Sequence, residues 1–163
     1  MKLDPIFTVS NNKLFTISDN TPVDISTLKR TEILWSTVEM EEESYNEEYL
    51  ANLREQLKPL DEINRFVILV PVVDKPLETS EQIELFINAY NHTARRIKDC
   101  TCIAGFELPS SILKFGLADD SAAIEFMETV AKKHAQYVYF ASQSDVTNYN
   151  LLNDMQNLPI VIN

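Results

Sequence analysis

Apolar residues fall along this chain in two alternating rhythms. Short runs dense in β-branched and aromatic residues are followed by longer stretches with one apolar face per helical turn. Ile33–Val38 (Ile-Leu-Trp-Ser-Thr-Val) reads as a strand, and Phe66–Val73 as a second, apolar enough to be buried on both faces. Cys102–Leu108 reads as a third strand, Tyr137–Ala141 as a fourth and Pro159–Ile162 as a fifth. Between them, Tyr49, Leu50, Leu53, Leu57 and Leu60 mark one helix face, and Ile83, Phe86, Ile87, Tyr90, Ala94 and Ile97 a second. Ile124, Met127, Val130 and His134 mark a third, and a short helix is predicted over 149–155. Ser44 with Glu47 and Thr79 with Gln82 have capping-box spacing, and Asp119, Asp120 or Ser121 caps the third helix.

The first thirty residues follow another pattern. Ile6–Val9 and Lys13–Ile17 flank Ser10-Asn11-Asn12 as a hairpin, Asp19-Asn20-Thr21-Pro22 is a turn, and Val23–Leu28 is a further short strand. The expectation is one domain over 1–163: an N-terminal hairpin segment (1–30), then β/α repeats (31–163). Strand–helix alternation predicts a parallel sheet. It fits a partial or truncated TIM-barrel-like arrangement, since a whole barrel takes about 250 residues. The alternative is an open, doubly wound five-stranded sheet of flavodoxin-like size.

Composition narrows the chemistry. The formal net charge of −11 repels phosphate backbones and anionic lipid surfaces, so neither nucleic acid nor membrane is expected as a partner. There are only two glycines, Gly105 and Gly116. Phosphate-cradling loops and the nucleophile elbow need more, so nucleotide cofactors and serine hydrolysis of that type are not expected. Cys100 and Cys102 are read as free thiols on one face of a strand. With only His92 and His134 as further soft ligands, no metal site is assigned. His134 is read as a helix C-terminal residue, where a cation is favoured. Met1–Pro5 lacks the apolar stretch of a signal peptide, leaving a cytoplasmic location as the default.

Parallel α/β sheets carry their chemistry at the carboxyl ends of the strands. Glu107 ends the third strand and Glu39 follows the first, so these two are the candidate catalytic carboxylates. Glu41, Glu42 and Glu43 extend the acidic run, where a Mg²⁺-holding receiver-like loop is one reading and a solvated helix start another. Asp74 follows the second strand, Trp35 offers a flat apolar face for a sugar ring, and Ser110 lies just past Glu107. These three are the candidate substrate-binding residues.

The order of segments resembles the cellulases and mannanases of glycoside hydrolase family five and its clan. The likeness rests on Tyr49–Arg54 leading to Phe66–Leu69, then Phe86–Tyr90, Ala94–Asp99 and Ile103-Ala104-Gly105-Phe106-Glu107-Leu108. Phe7–Leu14 and Asp19–Val23 resemble the small hairpin that precedes such barrels. The resemblance implies a carbohydrate ligand. In the clan an Asn-Glu pair follows the Glu-Leu pair and supplies the acid/base; here those positions are Ser110 and Ser111. The clan's nucleophile lies on a later strand than this chain reaches. The resemblance therefore implies a degenerate glycosidase-like protein that binds carbohydrate or a partner, self-associating if its barrel is incomplete. An active glycosidase with a rearranged carboxylate pair is the alternative.

Overall fold

A computed structural model describes residues 3–163. Strands β1 (Phe7–Ser10) and β2 (Lys13–Thr16) form the expected antiparallel hairpin. Asn11 and Asn12 take φ of 52° and 59°, the left-handed pair that a two-residue hairpin turn requires and that asparagine tolerates. Val23–Leu28 is not a strand: Ile25–Thr27 is a 3₁₀ turn capped by Asp24.

Five strands then pair in parallel in the order β3 (Lys29–Leu34), β6 (Val67–Val72), β7 (Ile103–Glu107), β8 (Val138–Ala141) and β9 (Ile160–Ile162). Spatial order follows chain order without reversal. Doubly wound sheets reverse once, at the switch point where helices change face. The doubly wound alternative therefore fails, and the arrangement is that of an open segment of a (β/α) barrel.

The first strand sits earlier than its apolar run suggested. β3 ends at Leu34, and Trp35–Val38 is a one-turn helix, α1. The charged stretch Lys29-Arg30-Thr31-Glu32 pairs with β6 at the edge of the sheet, where Lys29, Arg30 and Glu32 stay exposed. The acidic run is neither a loop nor a helix start. Glu39–Glu41 (β4) and Ser44–Tyr45 (β5) form a small hairpin with Glu43 at φ 58°. The cap of helix α2 (Glu47–Glu62) is accordingly Asn46, which accepts from the Tyr49 N–H at 3.0 Å, and not Ser44. Helix α3 (Ser80–Arg96) has the predicted Thr79–Gln82 capping box, and α5 (Ala122–Ala131) is capped by Ser121. Short helices α4 (Ser110–Leu113), α6 (Gln143–Asn148) and α7 (Leu152–Met155) complete the chain. Among the described residues, no helix is long and apolar enough to cross a membrane.

The two faces of the sheet have separate cores. Ile33, Val67, Leu69, Phe106 and Tyr139 pack with α2, α3 and α5. Ile68, Val70, Ala104, Val138, Phe140 and Val161 face the other way and are buried beneath Phe7, Leu14 and Leu28. In a closed barrel that second face is the packed interior. Here the N-terminal segment fills it. Asn12 also seals one sheet edge: it donates to the Met155 and Ile160 carbonyls at 3.1 and 2.9 Å, and its carbonyl accepts from Ile162 N–H at 3.1 Å.

Candidate functional site

Glu107 owes its direction to a bulge. The β6–β7 register moves from Val67↔Ile103 to Ile68↔Gly105, leaving Ala104 as an extra residue. A one-residue slip exchanges the faces of everything after it. Phe106 therefore turns to the helices, and Glu107 emerges on the inner face above the N-terminal segment. Gly105 makes this possible: a Cβ there would lie 1.6 Å from the Val138 carbonyl oxygen.

On that face Glu107 meets Arg30, reaching over from β3 with β6 between them. Arg30 Nη2 lies 2.8 and 2.9 Å from the two carboxylate oxygens. The Asn163 amide joins them; turned with its nitrogen on the Ala141 carbonyl at 2.6 Å, it accepts from Arg30 Nη1 at 3.2 Å. The Glu107 side chain is 17% exposed and that of Arg30 48%.

The other predicted residues occupy three further places along the same rim. Glu39 is 1% exposed and fully engaged. Its oxygens accept from Trp35 Nε1 and from Glu43 N–H, both at 2.9 Å, and Lys75 Nζ lies 3.4 Å from Oε1 and 2.5 Å from the Glu39 carbonyl. Burial, with Glu39 and Glu43 close by, raises the Tyr45 hydroxyl above its usual range. Trp35 does not present the open ring face that a strand position would have given it. It is 2% exposed, with Phe86 edge-on at 5.3 Å and the Lys75 ammonium 5.1 Å from its ring. Asp74 stands at the end of β6 and accepts from the Ser36 N–H at 2.9 Å and from the Ser36 hydroxyl. Ser110 donates to Asp145, whose carboxylate oxygens both lie 2.8 Å from Oγ.

The rim thus joins Trp35 to Glu39 and leaves Glu107, Asp74 and Ser110 in separate groups. No hydrogen bond or ion pair links Glu107 to Glu39 or Asp74 among the described residues. Two participants carried no sequence signal of their own. Arg30 lies in a charged stretch whose strand identity the apolar pattern missed. Asp145 follows Ser142 at cap spacing and reads simply as a helix-start acid.

Away from the rim, Cys100 and Cys102 lie in a turn ahead of β7 rather than on a strand face, and both are buried. Burial first, then the nearby Asp61, push their thiols up to about 11 and 12, so neither is a ready nucleophile. Cys102 Sγ donates to the Leu57 carbonyl at 3.4 Å. His134 is not an exposed helix-end cation: it is buried against Tyr137, and desolvation, with Lys98 nearby, lowers its pKa. His92 stacks on Tyr45 at 4.2 Å and, with Arg96, holds Glu47.

No protein-family model matches the sequence, and no curated protein matches it. Solved structures do match in shape. A GH5_18 protein from Bifidobacterium longum subsp. infantis superposes with a TM-score of 0.52 at 10% identity, over 72% of this chain and 34% of that one. Endo-glycoceramidase II from Rhodococcus sp., in a cellobiose-like isofagomine complex, superposes with 0.53 at 12% identity, over 87% of this chain and 49% of that one. The same enzyme as its lactosyl-enzyme intermediate gives 0.50 at 12% identity. The chain spans a third to a half of these neighbours' length, and at such identity the likeness is one of fold: a partial, glycosidase-like (β/α) architecture.

Proposed function

We propose that this chain is a degenerate, glycoside-hydrolase-like protein that binds carbohydrate, or a partner, at the carboxyl ends of its parallel strands. The observation that supports the reading best is the state of Glu107 together with the serines at 110 and 111. Glu107 is held by Arg30 at 2.8 Å, and the resembling family's acid/base position is Ser111. Retaining hydrolysis needs two carboxyl groups about 5 Å apart, one able to give a proton. A serine hydroxyl cannot give one to a glycosidic oxygen at neutral pH. What remains on the rim is a set of neutral and paired groups: Ser36 with Asp74, Ser110 with Asp145, and the Arg30–Glu107–Asn163 cluster. Such groups suit hydrogen bonding to sugar hydroxyls without chemistry.

The active alternative would draw on Glu39 with Glu107, and the enclosure of the Glu39 carboxylate by three donors weighs against it. A Mg²⁺ reading gains no support either, since no group of three or more potential ligands converges among the described residues.

The test is a panel of β-glucans and mannans offered to wild type and to Glu107→Gln, with turnover and binding both measured. Saturable binding without turnover in either protein is the expected result. Turnover abolished by the substitution would establish the active alternative. Neither binding nor turnover would remove the carbohydrate reading.

A further inference from the structure

One sheet edge is closed by Asn12, as described above; the other, β3, has no neighbour strand among the described residues. In a parallel ladder alternate residues turn their backbone groups to one side. Lys29 N–H bonds to the Phe66 carbonyl at 2.9 Å, so Lys29, Thr31 and Ile33 serve β6. Arg30 and Glu32 therefore turn their N–H and C=O groups outward, and Leu34 its N–H, its carbonyl being taken by the first turn of α1. All three are exposed, and Leu34 at 42% is among the exposed large apolar side chains. Unpaired edges of this kind are templates for another strand.

We infer that the occupant of this edge is a second copy of the chain, with β3 pairing antiparallel to β3 about a two-fold axis at Thr31. The charge pattern selects both partner and register. With Thr31 opposite Thr31, Arg30 faces Glu32 of the other copy and Glu32 faces its Arg30, each in a hydrogen-bonded pair. Shifting the axis to Glu32 opposes the two glutamates, and shifting it to Arg30 opposes the two arginines. Opposite charges across strands stabilise and like charges destabilise, so only the Thr31-centred register satisfies both pairs. Because Arg30 carries five donors in a fork, it can hold Glu107 and the second copy's glutamate together. The interface is isologous, as a closed dimer requires. Charges on an edge strand more often prevent pairing; here their alternation makes the edge complementary to itself. This inference does not depend on carbohydrate binding.

Light scattering and a cysteine cross-link test it together. At roughly 100 μM the wild type should have twice the chain mass. Glu32→Pro removes one outward N–H while leaving the ladder to β6 intact, and should give monomer. Glu32→Arg should weaken association by about tenfold or more, since it sets arginine against arginine. Thr31→Cys should form an intermolecular disulfide on mild oxidation, because opposed residues of a non-hydrogen-bonded pair lie within disulfide reach. Lys29→Cys should not. A wild-type monomer at that concentration would overturn the inference. So would a dimer that survives Glu32→Pro, or one that Thr31→Cys fails to cross-link.

Discussion

Arg30 and Glu107 meet at 2.8 Å across the inner face of the sheet, from strands that are not neighbours. The contact covers the upper end of the second core, where Ile68 and Val70 lie on the intervening strand. Half of the Arg30 side chain is exposed, so the pair is partly screened. Arg30→Ala should lower stability by about 1 kcal/mol, and the loss should shrink as salt is raised. Urea titrations at low and high ionic strength measure both.

Gly105→Ala should be far more damaging than an alanine at Gly116. The added methyl at Gly105 would meet the backbone of Val138, which cannot rotate away, so β7 and β8 must separate. Gly116 has open space, and there the cost comes from its φ of +83°. A loss of at least about 3 kcal/mol is expected at Gly105 and of order 1 kcal/mol at Gly116. Thermal melts of the two variants check the ranking.

Glu39→Ala should act on stability. It would strand Trp35 Nε1, the Glu43 N–H and Lys75 around a buried gap. Removing one member of such a buried set costs roughly 3 kcal/mol. Denaturant unfolding of Glu39→Ala beside Asp74→Ala should show a large loss in the first and a small one in the second, whose partners face water.

Stability should fall with acid over two separate pH windows. His134 has a folded pKa below its usual 6.5, because burial disfavours the imidazolium. Its contribution is complete above pH 6.5 and is lost as the pH falls through the lowered value. Glu47, held by Arg96 and His92, is lowered to about 2, so its contribution is complete above its ordinary 4.5 and fades between 4.5 and 2. Its side chain is 51% exposed, which keeps the second effect small. Melting temperature against pH should lose its upper slope in His134→Phe and its lower slope in Glu47→Gln.

Much of this architecture was legible because period and caps are local. The β/α alternation, the Asn11-Asn12 hairpin and the Thr79–Gln82 box each depend on residues close in the chain. What escaped was set by distant packing. β3 begins four residues before its apolar run, since its edge position lets Lys29, Arg30 and Glu32 pair with β6 while staying exposed. Trp35 then falls into a helical turn and is buried, although its surroundings in sequence look strand-like. Glu107 was identified from its place at a strand end, but its direction depends on a bulge at Ala104 that no pattern announces. Arg30 and Asp145 became visible only when the strands carrying or preceding them were set side by side.

The most direct measurement is a residue-resolved NMR titration with short β-glucan and mannan oligosaccharides. Shifts gathered at Ser36, Asp74, Glu107, Ser110 and Asn163, without any hydrolysis product, are the predicted result. Shifts confined to the hairpin end around Ser10, Gln136 and Asn157, or hydrolysis of the titrant, would contradict it.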